Sequence, residues 1–219
     1  MELGPRIDTR LKWPYRLLMA GPSSSGKSTL MKKLVLNPEE SMTRIPTRVE
    51  LFYSHNQDAY TELVEKSSCQ VILHEGAPDM NFSTPPGTLV IVDDLQGRHA
   101  DVISSWFTRK CHHMDSSIIY LIQNIFDKTP QNRTISLNSS YIILFKNPRD
   151  ASQVRHLDKQ IYPGGGGLLT RAYRYVTKER PYAYIVIDFN QSTPEEYRLR
   201  STLFPRDDFP NAWIFQSDN

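Results

Sequence analysis

Apolar residues in this chain gather in short runs of four to six residues that are rich in Val, Ile, Leu, Tyr and Phe, with longer mixed segments between them. This alternation is typical of an α/β protein. Most of the runs lack the strict alternation of a half-buried strand, so we expect a mostly parallel sheet with helices on both faces. The predicted strands are Tyr15–Ala20, Val49–Tyr53, Gln70–Leu73, Leu89–Val92, Ser117–Ile122, Tyr141–Phe145 and Tyr184–Phe189.

The mixed segments between these runs have the spacing of apolar positions that predicts helices. The predicted helices are Lys27–Leu36, Asp58–Lys66, Ala100–Lys110, Asp150–Ile161 and Leu168–Lys178. Pro, Asn and Gly predict loops at 79–87 and 126–133. Four successive glycines at 164–167 predict a flexible loop, with a functional hinge as the alternative.

The composition is that of an ordinary globular protein, with 219 residues, 39% hydrophobic and 23% charged. A chain of this length is expected to build one core and one domain, with two small domains as the alternative. The only two cysteines, Cys69 and Cys111, favour a reducing compartment over a disulfide scaffold. No run approaches the roughly 18 apolar residues of a membrane span. We therefore expect a soluble, intracellular protein with no membrane partner.

Residues 21–28 read G-P-S-S-S-G-K-S and fit the phosphate-loop pattern G-x-x-x-x-G-K-[ST] between a predicted strand and a predicted helix. The two glycines let the backbone curl, so that N–H groups point at a polyphosphate at the positive end of a helix dipole. Lys27 is expected to bridge the β- and γ-phosphates, and Ser28 to ligate Mg²⁺. The predicted nucleotide-binding residues are Gly21, Pro22, Ser23, Ser24, Ser25, Gly26, Lys27, Ser28 and Thr29, and the predicted cofactors are ATP and Mg²⁺.

Two aspartates close the apolar run L-V-I-V-D-D at 89–94, which is the pattern of a Walker B strand. Asp93 is expected to hold Mg²⁺, largely through water, and Asp94 to orient or deprotonate the attacking water. Asp94 is one methylene shorter than the glutamate that is usual at this position in hydrolytic proteins with a Walker B strand. Gln123 follows the next apolar run, at the edge of the sheet where ligands of α/β proteins bind. It is predicted to contact the γ-phosphate or the water.

Together, GPSSSGKS, LVIVDD, the helix that ends in Arg109, IIYLIQN and TISLNSSYIILFKNPRD resemble the additional-strand ATPases of the FtsK-HerA group. Within that group they are most similar to genome-packaging ATPases of poxvirus-type and adintovirus or polinton-type elements. The resemblance covers about residues 15–200, which we take as the core of a single domain at 1–219, with 201–219 as an extension. It implies that the phosphate-loop strand lies between the family's fifth strand and the strand that ends in Gln123.

The resemblance also implies a function and partners. It implies an ATP-hydrolysing motor that translocates double-stranded DNA into a viral capsid as a homo-oligomeric ring, with a capsid or portal-like component as a further partner. The γ-phosphate sensor of the family carries over to Gln123. An arginine from a neighbouring subunit completes the family's site, and Arg109 is our first candidate for it, ahead of Arg133 and Arg149.

Positive charge concentrates in the second half of the chain. Residues 146–180 hold eight basic and three acidic side chains, a net charge of +5, which leaves −3 for the rest of a chain whose total is +2. Spacings of three and four residues place the basic side chains on two helix faces that could follow DNA phosphates without reading sequence. The predicted DNA contacts are Arg155, Lys159, Arg171, Arg174 and Lys178. Ordinary solvated helix faces, and loops at 96–99 and 127–133, are the alternatives.

Two other functions remain open from the sequence. A similar phosphate loop near the N-terminus occurs in small-molecule kinases that act on nucleosides or nucleotides, and ATP could instead only gate the conformation of an assembly protein. The pair Asp93–Asp94, followed by Gln123, favours hydrolysis over transfer to a small molecule.

Overall fold

The computed structural model describes residues 8–95, 99–125, 129–149, 152–164, 166–178, 180–204 and 214–215. Within them a single sheet of nine strands organises the chain. The strands are β1 Arg16–Ala20, β2 Arg48–Tyr53, β3 Gln70–Glu75, β4 Thr88–Asp93, β5 Ser117–Ile122, β6 Tyr141–Phe145, β7 Tyr184–Asp188, β8 Leu199–Arg200 and β9 Ile214–Phe215. All seven predicted strands are confirmed.

The strand order is β3-β2-β4-β5-β1-β6-β7-β8-β9. The first six strands pair in parallel, and β7, β8 and β9 extend the sheet in antiparallel fashion. Strand β1 lies between β5 and β6, so its neighbour on one side is the strand that Gln123 follows. The predicted position of the phosphate-loop strand is therefore confirmed.

Eight α-helical segments connect the described strands, together with a π-helical segment at Trp106–Lys110 and a 3₁₀ turn at Glu195–Tyr197. The helices are α1 Lys27–Leu36, α2 Pro38–Ser41, α3 Asp58–Lys66, α4 Ala100–Ser105, α5 Cys111–His113, α6 Pro130–Asn138, α7 Ser152–Ile161 and α8 Leu168–Lys178. The helix expected at 100–110 is thus confirmed, and it continues to His113.

Both faces of the sheet are buried, as the continuous apolar runs predicted. Along β1, Leu17 and Met19 belong to one core, which they share with residues of α1 and α3. Leu18 and Ala20 belong to the other core, under α4, α6, α7 and α8. Because side chains alternate along a strand, this division places helices on both sides of the sheet.

Two expectations about local structure were wrong or incomplete. A loop was predicted at 126–133, but helix α6 begins at Pro130. Residues 126–128 lie outside the described part of the chain. The Thr129 side chain accepts a hydrogen bond from the N–H of Asn132, and proline suits the first helical position because its missing N–H has no helical partner there. The short helix α2 also begins with a proline, Pro38, and was not predicted.

The C-terminal extension contributes to the fold where the structure describes it. Phe204 is buried in the core that contains residues of α1 and α3. Phe215 packs against the core on the other face of the sheet. No helix among the described residues is both long and apolar enough to span a bilayer.

Candidate nucleotide site

The phosphate loop connects β1 to α1, and two of its positions need glycine. A Cβ on Gly21 would lie 2.6 Å from Cβ of Phe145, a distance that real side chains do not tolerate. Gly26 has φ +98° immediately before α1, in the left-handed region that favours glycine. Ser24 also has a positive φ, of 60°. The loop therefore makes a tight turn directly before α1.

Lys27, the first residue of α1, turns its side chain back onto the loop. Its Nζ donates hydrogen bonds to the carbonyl oxygens of Gly21, at 2.7 Å, and Pro22, at 2.9 Å. Burial lowers the pKa of this ammonium, and the nearby carboxylates of Asp93 and Asp94 oppose that shift. The cation is thus held at the mouth of the loop, where a triphosphate would provide stronger, charged acceptors.

Asp93 ends β4 and is 4% exposed. Its Oδ2 accepts hydrogen bonds from the hydroxyl of Tyr60, at 2.7 Å, and from that of Ser28, at 3.3 Å. Burial raises the pKa of this carboxyl, and these two hydrogen bonds, followed by Lys27, counteract the rise. The contact with Ser28 brings together the two residues that were predicted to hold Mg²⁺.

The oxygens of Ser28 and Asp93 fit a hard divalent cation. Mg²⁺ prefers oxygen donors and usually retains several waters, so it is bound through one or two protein groups rather than by a full protein cage. A hydroxyl and a carboxylate in contact at the start of α1 provide that set. A cation there would also favour the ionised form of Asp93, whose burial works against it.

Asp94 directly follows β4 and is exposed. Its backbone has φ +53°, a left-handed conformation that is uncommon for residues other than glycine. Nε2 of Gln123 lies 3.3 Å from Oδ1 and 3.2 Å from Oδ2 of Asp94. The amide N–H of Gln123 therefore donates to the carboxylate of Asp94. The amide oxygen of Gln123 is then the acceptor that a water molecule can use.

The end of β5 holds two parts of this site in place. The carbonyl of Leu121 accepts a hydrogen bond from the N–H of Asp94, and the carbonyl of Ile122 accepts one from the N–H of Gly21. Gln123 comes next in the chain. The start of the phosphate loop, the acidic strand end and the amide are consequently fixed to adjacent peptide groups.

A cavity of about 320 Å³ opens among these groups. It is lined by Ser23, Ser24, Gly26, Lys27, Ser28, Thr29, Gln57, Asp93, Asp94 and Gln123. The remaining predicted loop residues, Gly21, Pro22 and Ser25, do not line it and instead shape the loop. Apart from Arg109, every predicted catalytic, nucleotide-binding or metal-binding residue thus belongs to this cavity or to the loop that forms it.

Two residues of the site were not predicted. Gln57, which precedes α3, lines the cavity, and Tyr60 holds Asp93 from the same helix. Gln57 follows β2 at the carboxyl edge of the sheet, and that position was a usable signal because ligands bind there. Tyr60 could not be found from the sequence, since its role depends on β2 and β4 being neighbours.

Arg109 lies away from this cavity. The helical segments from Ala100 to His113 begin after β4 and run back along the sheet, and the carbonyl of Phe107 accepts a hydrogen bond from Arg16 at the start of β1. Arg109 is therefore near the amino edge of the sheet, opposite the phosphate loop. Arg133 and Arg149 follow β5 and β6 and lie nearer the carboxyl edge. All three are exposed.

The five predicted DNA-contacting residues are exposed on α7 and α8. The two helices are joined through Asp158, which is buried. Its carboxylate accepts hydrogen bonds from the N–H groups of Leu169 and Thr170, at 3.2 and 3.1 Å, in the first turn of α8. One carboxylate from α7 thus caps α8 and fixes the two basic helices to each other.

No protein-family model and no curated protein sequence matches the chain. Among solved structures, it is similar to the genome packaging NTPase B204 from Sulfolobus turreted icosahedral virus 2 in complex with ATP-gammaS. The identity is 17% and the TM-score 0.51, over 82% of this chain and 94% of that one. It is also similar to the cytoplasmic domain of the type VII secretion ATPase EccC from Thermomonospora curvata, with 13% identity and a TM-score of 0.50, over 82% of this chain but only 24% of EccC.

These likenesses confirm the fold. The chain has the P-loop NTPase fold that its sequence predicted, with a mostly parallel sheet and helices on both faces. The resemblance to the FtsK-HerA group agrees with them at the level of the fold.

Proposed function

We propose that this chain hydrolyses ATP and uses the energy to translocate double-stranded DNA into a viral capsid. It would do so as a homo-oligomeric ring in which each subunit is a single ATPase domain. The observation that carries the hydrolytic part is the convergence of Lys27, Ser28, Asp93, Asp94 and Gln123 on one cavity. A phosphate-binding loop, a metal-binding pair and a carboxylate with an amide partner are the groups that attack by water on a γ-phosphate requires.

Within this site each side chain has a separate task. Lys27 exchanges its bonds to loop carbonyls for bonds to phosphate oxygens and neutralises charge there. Asp94 accepts a proton from the attacking water, and the Gln123 amide holds the carboxylate and orients that water. Ser28 and Asp93 would hold Mg²⁺, which when bound neutralises charge on the phosphates.

The ring is supported by the position of the arginines. Phosphoryl-transfer sites commonly use an arginine to stabilise charge in the transition state, and it can come from a second protein chain. Among the residues that the structure describes, no arginine lines this cavity. An exposed arginine of a neighbouring subunit, with Arg109 as the first candidate and Arg133 and Arg149 as the others, would complete the site.

The DNA and capsid partners are supported by charge and by a structural neighbour. Five exposed basic side chains lie on two helices that Asp158 fixes together, and a fixed basic surface suits phosphates of any sequence. The similar B204 protein is a genome packaging NTPase that was solved with ATP-gammaS. We place this chain in the same role, in the infected cell at the assembling capsid.

Phosphate release, measured with and without double-stranded DNA and alongside oligomer size in ATP and Mg²⁺, tests this proposal. We expect DNA to stimulate release and ATP to favour a ring. Lys27→Ala controls for contaminating ATPases and should lower release about 100-fold or more. A rate of phosphate release that does not change with DNA, together with phosphoryl transfer to a nucleoside monophosphate, would favour a kinase. Full function of Asp94→Asn would favour a nucleotide-gated assembly protein.

A further inference from the structure

A second, larger cavity of about 720 Å³ adjoins the phosphate cavity. Ser24 and Gly26 of the phosphate loop and Thr29 at the start of α1 line both cavities, so the two are adjacent. We propose that the larger cavity binds the nucleobase and ribose of the nucleoside triphosphate, and that the ring of Tyr182 stacks on the base. This inference rests on the proposed function, because it needs a triphosphate in the loop.

The direction of the bound nucleotide follows from the residues that the cavities do not share. Asp94 and Gln123 line only the phosphate cavity, and they are the groups that act on the γ-phosphate. The α-phosphate, which carries the nucleoside, must then lie on the side of Ser24, Gly26 and Thr29. Those three residues also line the larger cavity.

The wall of the larger cavity suits a flat, aromatic ligand. Base–aromatic stacking tolerates any base, because every base has a π-face. Ligand pockets in general are lined by aromatic and apolar groups with a few polar ones. The aromatic residues that line this cavity are Phe145, Tyr175, Tyr182, Tyr184 and Phe204.

Tyr182 is an exposed aromatic residue that contacts the loop, whereas Phe145, whose ring also lies near Gly26, is buried. A Cβ added to Gly26 would lie 3.4 Å from Cβ of Tyr182 and 3.7 Å from its ring carbon Cδ1. Tyr182 therefore packs on the phosphate loop itself, and yet the residue is 66% exposed. A large aromatic ring beside the loop, open to solvent on its other side, can cover a base.

The backbone of Tyr182 indicates that this ring is retained at a cost. Its φ is +59°, a left-handed conformation that glycine adopts freely and that strains a bulky residue. Strained residues of this kind cluster at ligand-binding sites, where the surrounding structure holds them. The strain also provides a useful variant, because Tyr182→Gly removes the ring while it relieves the backbone.

The test measures the Kd of Mg-ATP and of inorganic tripolyphosphate for the wild-type chain and for Tyr182→Gly by calorimetry. Loss of one stacking contact should weaken ATP binding about 5-fold or more. Tripolyphosphate has no base, so its Kd should stay within about twofold. Tyr182→Phe keeps the ring and should restore ATP binding, and thermal unfolding checks that Tyr182→Gly remains folded.

Each other outcome overturns the inference. Unchanged ATP affinity in Tyr182→Gly would show that no base stacks there. Equal weakening of ATP and tripolyphosphate would show that Tyr182 acts only by supporting the loop. A wild-type chain that binds ATP no better than tripolyphosphate would exclude a nucleoside site, while the proposed function would stand. A wild-type chain that binds neither would overturn both.

Discussion

The hydroxyl of Tyr60 donates a 2.7 Å hydrogen bond to Oδ2 of Asp93, and both groups are buried. The two residues come from different elements, α3 and the end of β4. The hydrogen bond stabilises the ionised form of a carboxyl that burial would otherwise keep protonated. Tyr60 therefore acts on the residue proposed to hold Mg²⁺ without lining the cavity itself, and we class it as a positioning residue.

Replacing Tyr60 by phenylalanine removes this hydrogen bond and keeps the ring. Because the bond lowers the pKa of Asp93, its loss should raise that pKa further, and ATP turnover should reach half its maximum at a higher pH. Affinity for Mg²⁺ should fall about 10- to 100-fold, as for other groups that orient a metal ligand. Turnover measured against pH and against Mg²⁺ concentration checks both effects.

Tyr15→Phe is the matched control for that variant. Tyr15 is also fully buried, but its hydroxyl lies 3.3 Å from Sδ of Met42, away from the cavity. Its removal should leave the pH profile and the Mg²⁺ dependence where they are. If Tyr60→Phe shifts neither quantity, the hydrogen bond has no role beyond packing.

Asp93→Asn should separate stability from metal binding. Burial raises the pKa of Asp93 above its usual value, so its stabilising contribution is present at low pH and is lost as the pH rises through the raised pKa. Asparagine cannot ionise. In EDTA, the melting temperature of the variant relative to wild type should therefore increase as the pH rises from about 4 toward neutrality. Each kcal/mol of difference corresponds to about 2–4 °C. With Mg²⁺ and ATP, only the wild type should gain stability.

Gln123→Ala should reduce turnover about 10²- to 10³-fold and leave ATP affinity unchanged, because the amide acts on Asp94 and the phosphate loop is untouched. Single-turnover kinetics and equilibrium binding measure the two quantities. Gln131→Ala is the control, since Gln131 makes a similar exposed hydrogen bond to Asp101, at 2.9 Å, outside the cavity. A loss below about threefold in Gln123→Ala would remove Gln123 from the mechanism.

Subunit mixing tests whether an arginine acts between subunits. Arg109→Ala subunits keep an intact cavity, and Asp94→Asn subunits keep their arginine, so mixed rings should recover part of the ATPase activity if Arg109 acts in trans. The same experiment with Arg133→Ala and Arg149→Ala compares the alternatives. Recovery with one of these and not with Arg109 would transfer the role. An Arg109→Ala ring that remains fully active would exclude Arg109.

The basic helix faces should determine how DNA binding depends on salt. The plot of log Kobs against log salt has a negative slope, and each phosphate contact that is lost should reduce the magnitude of that slope by about 1. The paired variants Arg155→Ala with Lys159→Ala and Arg174→Ala with Lys178→Ala should each do so in fluorescence anisotropy with duplex DNA. Lys66→Ala changes a charge on α3, across the sheet, and should not. Unchanged slopes in both paired variants would place the DNA elsewhere.

The sheet was predictable because its strands are buried on both faces and therefore appear as continuous apolar runs. β5 and β6 begin and end where the runs do. The helix α6 was missed because Pro130 was taken as a loop residue, although a threonine followed by proline is also a common helix start. Part of the C-terminal extension, including Phe209 and Trp213, lies outside the described residues.

The phosphate loop and the acidic strand end were predictable because backbone geometry and metal binding require particular residues at fixed spacing. Gln57 and Tyr60 obey no such spacing, since they reach the site through the pairing of β2 with β4. Tyr182 and Gly26 are far apart in the chain, and their contact exists only in the folded protein. Local chemistry was therefore readable, and contacts between distant segments were not.

Asp158 has a consequence for the energetics of any polyanion that binds to α7 and α8. The glycines that connect the two helices would by themselves allow many relative orientations, and a flexible pair would have to lose that freedom on binding. By capping α8 from α7, the buried carboxylate removes this freedom when the protein folds. The basic faces are therefore pre-organised, and the conformational entropy of arranging them would not be lost again each time a polyanion bound.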